Sequence, residues 1–526
     1  MKFMLQVLVV AAFCATAQAQ VPYEHIANPD RYPGEWLTYS RDYAGHRFSP
    51  LNEITAGNVG QLKVKWVYQF PDPGNEVSPI VVDNIMFVTG PNSATAIDTA
   101  TGRPLWSWKR PIPSDYHSLG FGQVNRGAAV LDDKLYIATL DCYLVALDLK
   151  SGIQRWASEV GDYKVGYSMT LAPLAIDGKV VVGVSGGEAG IRGLVDAYDA
   201  KTGKRAWRFW TIPARDDPAY QTWAGGSAKT GGGPTWVTGV YDPQLKLIYW
   251  GVGNPSPDWN GEVRLGDNLY TCSFVALDSE TGKLRWHFQF TPHDTHDWDA
   301  SQVPVLFDAR IKGQDRKLIA TANRNGFYYV LDRVTGEFLA AQSYAKQTWA
   351  KGIDAKGRPI VAENSEPTEK GTLVWPNANG ASVWYSPSFS PQTNLFYVAV
   401  RNTSAVFYKR DPEYKAGTMY LGGGEDESPQ DSSWGEIKAL DPTTGDLRWE
   451  FKLNTPPWSG VLSTAGDLVF SGSNEGNFYA LDARTGKPLW DFQTGGPIGA
   501  NPISFAVAGR QRIAIASDRV LYVFGL

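Results

Sequence analysis

Three aspartates and two histidines crowd into the stretch TPHDTHDWDA, from Thr291 to Ala300, between apolar strand patterns. In an extended backbone, side chains two residues apart point the same way, so Asp297 and Asp299 are expected to face one site together. Two such carboxylates repel unless a proton or a cation lies between them. Carboxylate oxygens with little thiol nearby favour a hard, oxygen-seeking metal over zinc or copper. The bland alternative is a solvated acidic turn around Asp294, Asp297 and Asp299. His293 and His296 read as residues that orient their neighbours rather than as ligands.

A cation site needs more oxygens than one turn supplies, and two other segments offer them. VSGGEAGIRG, from Val184 to Gly193, sets Glu188 among glycines that let the backbone approach a ligand closely. A carboxylate at such an apolar, glycine-rich strand end is costly unless paired or metal-bound. WGVGNPSPDWN, from Trp250 to Asn260, sets Asn254 directly after a buried-looking strand. With Asp297 and Asp299 these residues make a candidate oxygen-only cation site drawn from three separate segments.

The elements that must bring those segments together are announced by a repeat. An apolar strand, an Asp, a Thr-Gly or Ser-Gly turn and then a Trp recur at Ala96 to Trp106, Ala146 to Trp156, Ala197 to Trp207, Ala276 to Trp286, Ala439 to Trp449 and Ala480 to Trp490. A further copy, Val330 to Ala340, lacks the Trp. In each copy a strand is expected to end at the Asp and the next to begin just before the Trp. Most of these aspartates are spaced by about the length of a four-stranded propeller blade; the long intervals Asp199 to Asp278 and Asp332 to Asp441 carry insertions. One more blade can be assembled from both ends, Arg519 to Leu526 beside Leu62 to Phe70, which removes the free sheet edges. The expected fold is all-β, an eight-bladed β-propeller with Trp-docking motifs. The recurrent Trp invites a cofactor reading, but a large ring at the same place in every blade is better explained as core packing between neighbouring sheets. Trp106, Trp156, Trp207, Trp286, Trp449 and Trp490 are therefore expected in the core.

Composition agrees with an all-β chain: 54 Gly, 33 Pro, 20 Trp and 25 Tyr are turn formers and aromatics. The formal net charge of −5, without a basic stripe, argues against nucleic acid as a partner. Lys2, the apolar run Met4 to Phe13 and Ala17-Gln18-Ala19 form an expected signal peptide over residues 1–19, leaving residues 20–526 as a single propeller domain in an exported protein. Phe13 before Cys14 does not fit a lipoprotein cleavage box, and no later stretch reaches the length of a membrane span. Cys14 leaves with the leader; Cys142 and Cys272 sit at equivalent places in different repeats and are expected to be free thiols.

Together, RDYAGHRFSP, the Trp repeats, GEAGIRG, GNPSPDWN, GDNLYT and TPHD-x-x-D (Thr291 to Asp297) resemble the pyrroloquinoline quinone (PQQ) dependent alcohol dehydrogenases, the methanol and ethanol dehydrogenase family. The resemblance runs from Arg41 almost to the C-terminus. It implies metal ligation by Glu188, Asn254 and Asp297, with Asp297 also the general base that takes the alcohol proton while a hydride passes to metal-polarised PQQ. It implies Arg324 beside the quinone oxygens and Trp236 as the indole under the quinone. Glu76, Arg126, Thr170, Ser185, Gly186 and Gly187 match residues that hold the cofactor's carboxylates and edges, and Trp384 and Trp458 line the remaining wall. For Trp236 and Trp458 plain core packing is the alternative, and for Arg126 and Arg324 surface ion pairs. The resemblance further implies an alcohol substrate, a periplasmic location, a soluble cytochrome c as electron acceptor and a homodimer. No Cys-x-x-Cys-His haem motif occurs, so a fused cytochrome domain is not expected.

The chain also departs from the family pattern. Gly120 and Phe121 stand where an adjacent cysteine pair commonly covers PQQ, which leaves Phe121 to stack as the lid. Val383 stands where the family often has Asn, and Pro234 replaces a polar residue. Asp299 resembles the lanthanide-dependent members, and its extra charge suits a trivalent ion, so a lanthanide(III) is expected with Ca2+ as the alternative. The competing functions are a calcium-dependent sugar or polyol dehydrogenase of the same fold and a non-enzymatic scaffold propeller. The set Glu188, Asn254, Asp297 and Arg324 favours the enzyme.

Overall fold

A computed structural model describes residues 21–428 and 433–526; the leader expected over residues 1–19, with Cys14, lies outside the described residues. The described chain is all-β. Eight sheets carry four or five strands each, antiparallel throughout except where Phe48–Ser49 adds in parallel to Leu462–Thr464, with strands in chain order across most sheets. One sheet joins the two ends of the chain: Lys63–Gln69 pairs antiparallel with Val520–Gly525, as the sequence predicts. The Asp332 to Asp441 interval holds extra strands, a three-stranded sheet built from Thr372–Val374, Ala405–Lys409 and Gly423–Glu427, and the hairpin of Ala350–Ile353 with Pro359–Val361.

The repeat behaves as its chemistry requires. The strands Ser93–Asp98, Tyr143–Asp148, Leu194–Asp199, Ser273–Asp278, Phe327–Asp332 and Asn477–Asp482 all end on the motif Asp. Its carboxylate closes the turn: Asp148 Oδ1 accepts from the Ser151 amide at 2.9 Å and the Ser151 hydroxyl at 2.7 Å. The turn glycine has a second duty. Gly152 adopts φ +69°, and a Cβ there would come 2.5 Å from the Trp106 ring of the preceding repeat. The same relation links Trp156 with Gly203, Trp207 with Gly282, Trp286 with Gly336 and Trp449 with Gly486. Indole Nε1 atoms donate into the next repeat's turn, from Trp106 to the Leu149 carbonyl and from Trp286 to the Arg333 carbonyl. Trp66, which the sequence reading passed over, covers Gly102 in the same way. The expectation of a uniform tryptophan core needs correction: Trp207, Trp286 and Trp449 are buried, whereas Trp106, Trp156 and Trp490 remain partly exposed. Their outer edges sit over surface turns, so solvent keeps access to one side. Cys142 and Cys272 are free and buried.

Strand alternation decides where the site can be. In a four-stranded antiparallel meander, the segment entering the first strand and the connection between the second and third strands lie at one end. The Asp-Gly turns between the third and fourth strands lie at the other. The segment from Trp36 to Ser49 runs across the first strands of successive sheets, exchanging backbone hydrogen bonds with Val81, Tyr241, Leu306, Phe389 and Ser463. Among the described residues no helix is long and apolar enough to cross a membrane.

Candidate active site

Every expected site residue comes from the end opposite the Asp-Gly turns. Glu76, Arg126, Thr170, Trp236, Asp297, Asp299, Trp384 and Trp458 precede the first strand of seven sheets; Ser185, Gly186, Gly187, Glu188, Asn254 and Arg324 lie between second and third strands. Twelve of these line one cavity of about 270 Å³: Glu76, Arg126, Thr170, Ser185, Gly186, Glu188, Trp236, Asp297, Asp299, Arg324, Trp384 and Trp458. Gly187 and Asn254 do not reach its surface; they lie behind the wall, with Asn254 Oδ1 beside Gly187. Gly120, Phe121, Gly122, Val124, Asn379 and Val383 complete the lining. Phe121 is thus at the cavity, where the sequence suggested a lid. Asn379 supplies an amide on the wall that carries Val383, four residues from the position where the sequence suggested a polar contact was lost.

One side of the cavity is organised around Arg324. Its Nη1 donates to Asp299 Oδ2 at 2.7 Å, its Nη2 to Asp297 Oδ2 at 3.1 Å, and its Nε to the Ala378 carbonyl at 2.8 Å. These are buried, charge-assisted contacts, so the surface ion-pair alternative for Arg324 is set aside. Asp299 is a hub as well: its Oδ2 also accepts from Trp236 Nε1 at 2.8 Å, and its Oδ1 accepts from the Asn254 amide at 2.7 Å. Asp297 and Asp299 do meet at one site, though not through an extended strand, because Asp297 has φ +63°. On the other side, Arg126 pairs with Glu76 at 2.7 Å and donates to Thr170 Oγ1 at 2.6 Å. The Arg126 guanidinium lies between two indoles, 4.8 Å from Trp236 and 5.2 Å from Trp384. Trp384 stacks on Trp458 at 4.7 Å. The histidines stay outside: His296 stacks on Trp298, and His293 bonds the Gly266 carbonyl.

The electrostatics are those of a site short of positive charge. Burial pushes the Glu188 carboxyl up to about 7, with the Asp299 charge adding to the effect. Burial also drives Asp297 well above the usual carboxylate range; the Arg324 charge opposes this, and the charges of Asp299, Asp258 and Glu188 reinforce it. Glu188 Oε2 is buried with no hydrogen-bond partner. A buried acceptor left without a donor is expensive, and a hard cation is the group that would satisfy it. Among the described residues no three His, Cys, Asp or Glu side chains form a metal cluster by themselves; the set here is mixed, with an amide oxygen from Asn254, and Arg324 bridges Asp297 and Asp299. The rest of the cavity suits a flat polyanion. Indole faces supply its walls, and Arg126, Thr170 and Ser185 supply donors.

A cavity with aromatic walls, one guanidinium on either side and an unmatched carboxylate set has the make-up of a pocket for a planar anion beside a hard cation. A sequence profile described as glucose/ethanol/alcohol dehydrogenase, beta-propeller domain, matches residues 36–344, and one described as outer membrane protein assembly factor BamB matches residues 433–525. The chain is 35% identical to the quinoprotein alcohol dehydrogenase PedH of Pseudomonas putida, across 97% of this chain and 90% of that protein. It is 39% identical to the quinohemoprotein alcohol dehydrogenase ADH-IIG of Pseudomonas putida, across 95% of this chain and 75% of that one. Among solved structures it is similar to the quinohemoprotein alcohol dehydrogenase of Comamonas testosteroni, with a TM-score of 0.91, 34% identity and coverage of 97% and 84%. It is likewise similar to a europium-containing methanol dehydrogenase, with a TM-score of 0.89, 32% identity and coverage of 96% and 100%. The chain belongs to the PQQ-dependent alcohol dehydrogenase family, an enzyme family built on a β-propeller.

Proposed function

We propose that this protein oxidises an alcohol to an aldehyde or ketone in the periplasm, using PQQ and one lanthanide(III) ion and passing electrons to a soluble cytochrome c. The observation that carries the reading is the meeting of Glu188, Asp297, Asp299 and Arg324 in one cavity with the Trp236 indole. When bound, PQQ would supply a carbonyl able to accept a hydride, and a hard cation would supply the Lewis acidity that favours this. The residues do the rest. Asp297, on the cavity wall, accepts the alcohol proton. Arg324 holds Asp297 in place and offers N–H groups to developing negative charge. Arg126 with Thr170 and Ser185 would hold cofactor carboxylates, Gly186 would leave room at its edge with Gly187 backing the wall, and Glu76 fixes Arg126. Trp236, Trp384 and Trp458 form the walls, and Phe121 closes the lid. Glu188, Asn254 and Asp297 would hold the ion.

The choice of a lanthanide rests on Asp299, which adds a full charge to the ion's surroundings, and on likeness to the europium-containing methanol dehydrogenase. Export rests on the leader sequence. The eight sheets read as eight blades of one domain over residues 20–526, closed by Lys63–Gln69 on Val520–Gly525 and locked where Trp66, Trp106, Trp156, Trp207, Trp286 and Trp449 each pack on the next repeat's glycine. Reconstitution of the purified protein with PQQ and either lanthanum or calcium, followed by dye-linked oxidation of a panel of alcohols, tests the reading. Alcohol-dependent dye reduction, faster with lanthanum, is expected. Its absence with both ions would remove the enzyme assignment, and equal loss with both ions in Asp299→Ala would remove the lanthanide assignment.

A further inference from the structure

Trp384 and Trp458 wall the cavity, and the same two rings, with Glu76, also line a second cavity of about 270 Å³ bounded by Asn474, Ile498 and Asp518. The indole pair is thus a partition with open space on both sides. Trp384 Nε1 is buried without a hydrogen-bond partner, so no polar contact fixes that ring. The pair is held through its ring faces instead. Its rings stack at 4.7 Å with 14° between their planes. The Arg126 guanidinium lies 5.2 Å from Trp384, and the Arg401 guanidinium lies 3.7 Å from Trp458. The contacts therefore run in a row, Arg126, Trp384, Trp458, Arg401, with a cation at each end. Arg126 faces the cavity and is matched by the Glu76 carboxylate. Arg401 is different. It is 6% exposed and lies off the cavity surface; its Nε has no partner, and its Nη1 donates to the carbonyls of Pro456 and Pro457 at 3.4 and 3.1 Å. A buried guanidinium that meets carbonyls instead of a carboxylate opposes folding. Arg401 stands near the end of the strand Leu395–Asn402, and its amide donates to the Ala381 carbonyl at 2.9 Å. Its backbone thereby joins the segment leading to Trp384, while its side chain grips the segment carrying Trp458.

We propose that Arg401 is a positioning residue for the cofactor: it clamps Trp458 onto Trp384, so that the two-indole wall is already set when the planar anion enters. A cation over an indole is attracted by the charge distribution of the ring, and more strongly where both are out of water. A guanidinium can lie over the ring and bond neighbouring carbonyls at once, which a compact ammonium does less well. Two indoles freed from the clamp would have to be ordered on binding, a loss of about 10-fold in affinity for the planar anion. Arg401 acts through Trp458 and not on the anion itself.

This role rests on the PQQ reading above, and the test separates the two. In the cofactor-free full chain, the stacked indoles give a coupled circular-dichroism band, isolated as the difference between the wild type and Trp458→Phe. Arg401→Met keeps the length of the side chain without its charge and should lose most of that band; Arg401→Lys should keep part of it. PQQ is then titrated with lanthanum or calcium present and followed by quenching of indole fluorescence. Arg401→Met should weaken PQQ by about 10-fold and Arg401→Lys by about 3-fold. In the Trp458→Ala background, Arg401→Met should change PQQ affinity by less than about 2-fold. A residue that serves only the fold would lower the melting temperature in Arg401→Met and leave both the band and the affinity as they were. An intact band, wild-type affinity in Arg401→Met, or an equal loss without Trp458 would each overturn the role, the last by showing that the guanidinium acts on the anion through its charge. Should Arg401→Met fail to fold, wild-type affinity in Arg401→Lys would overturn it. Failure of the wild-type chain to bind PQQ with either ion would remove the cofactor reading, and this role with it.

Discussion

Carboxylates do opposite work at the two ends of the sheets. At the Asp-Gly turns, each motif Asp sits among donors. Burial works against ionisation of Asp148, but hydrogen bonds from Ser151 and Arg155 outweigh it and hold the carboxyl down at about 2. Asp278 and Asp441 are lowered by the same balance, and Asp199 chiefly by the Thr202 hydroxyl. At the cavity end, Glu188, Asp258 and Asp297 are buried with too few donors and are pushed up. The turn aspartates are complete as they stand. The cavity carboxylates lack matching donors, so one region stores stability and the other holds unspent charge that a bound cation would satisfy.

The comparison can be broken first at Asp297. Asp297→Asn keeps the shape of the cavity and should lower kcat for alcohol oxidation by about 10³-fold, within the range for loss of a general base, while circular dichroism stays that of the wild type. Retained turnover would remove Asp297 as base. The same change at a turn, Asp148→Asn, should leave kcat untouched.

The next effect concerns what joins the repeats. Trp286→Ala removes a buried indole that covers Gly336 and donates to the Arg333 carbonyl. Urea unfolding should show a loss of about 3–5 kcal/mol. A loss below 1 kcal/mol would show that the ring is not a lock between sheets.

The two regions also predict opposite pH responses. Glu188 has a folded value raised from 4.5 to about 7, so its protonation stabilises the metal-free fold. That contribution is full below the unfolded value and is lost as pH rises through about 7, on the order of 3 kcal/mol between those limits. Metal-free protein should therefore melt higher near pH 5 than near pH 8, and a bound lanthanide should reverse the trend. A metal-free melting curve that improves toward pH 8 would contradict the charge excess at the cavity. Asp148 runs the other way: its value is depressed, so its contribution is present above about 4 and lost as pH falls through about 2. Asp148→Asn should cost about 1 kcal/mol, the order of one capping side chain, and should remove part of the acid-induced loss. That is the smallest of the four effects, and it is measured by thermal unfolding across the acid limb.

The strands ending at the motif Asp, the glycine after it, the tryptophan beyond, and the join between the chain's two ends were legible in the sequence because each depends on local geometry: a turn that needs φ > 0, a carboxylate that caps it, an apolar run of strand length. The residue types for a hard cation and a planar anion were legible for a similar reason, since chemistry limits which side chains can serve. Other features could not be read along the chain. Asp297 adopts a left-handed backbone, and Asp299 binds Trp236, Arg324 and the Asn254 amide at once. Asn379 joins the cavity wall from an insertion, Gly187 and Asn254 withdraw behind it, and Asp258 is buried without a counter-charge. Asp258 lies in GNPSPDWN, and its place after an apolar strand and two prolines is the one sequence signal of its burial. Each of these outcomes depends on which groups from distant segments arrive beside one another, and burial, partner count and net charge are properties of that meeting rather than of any stretch of sequence.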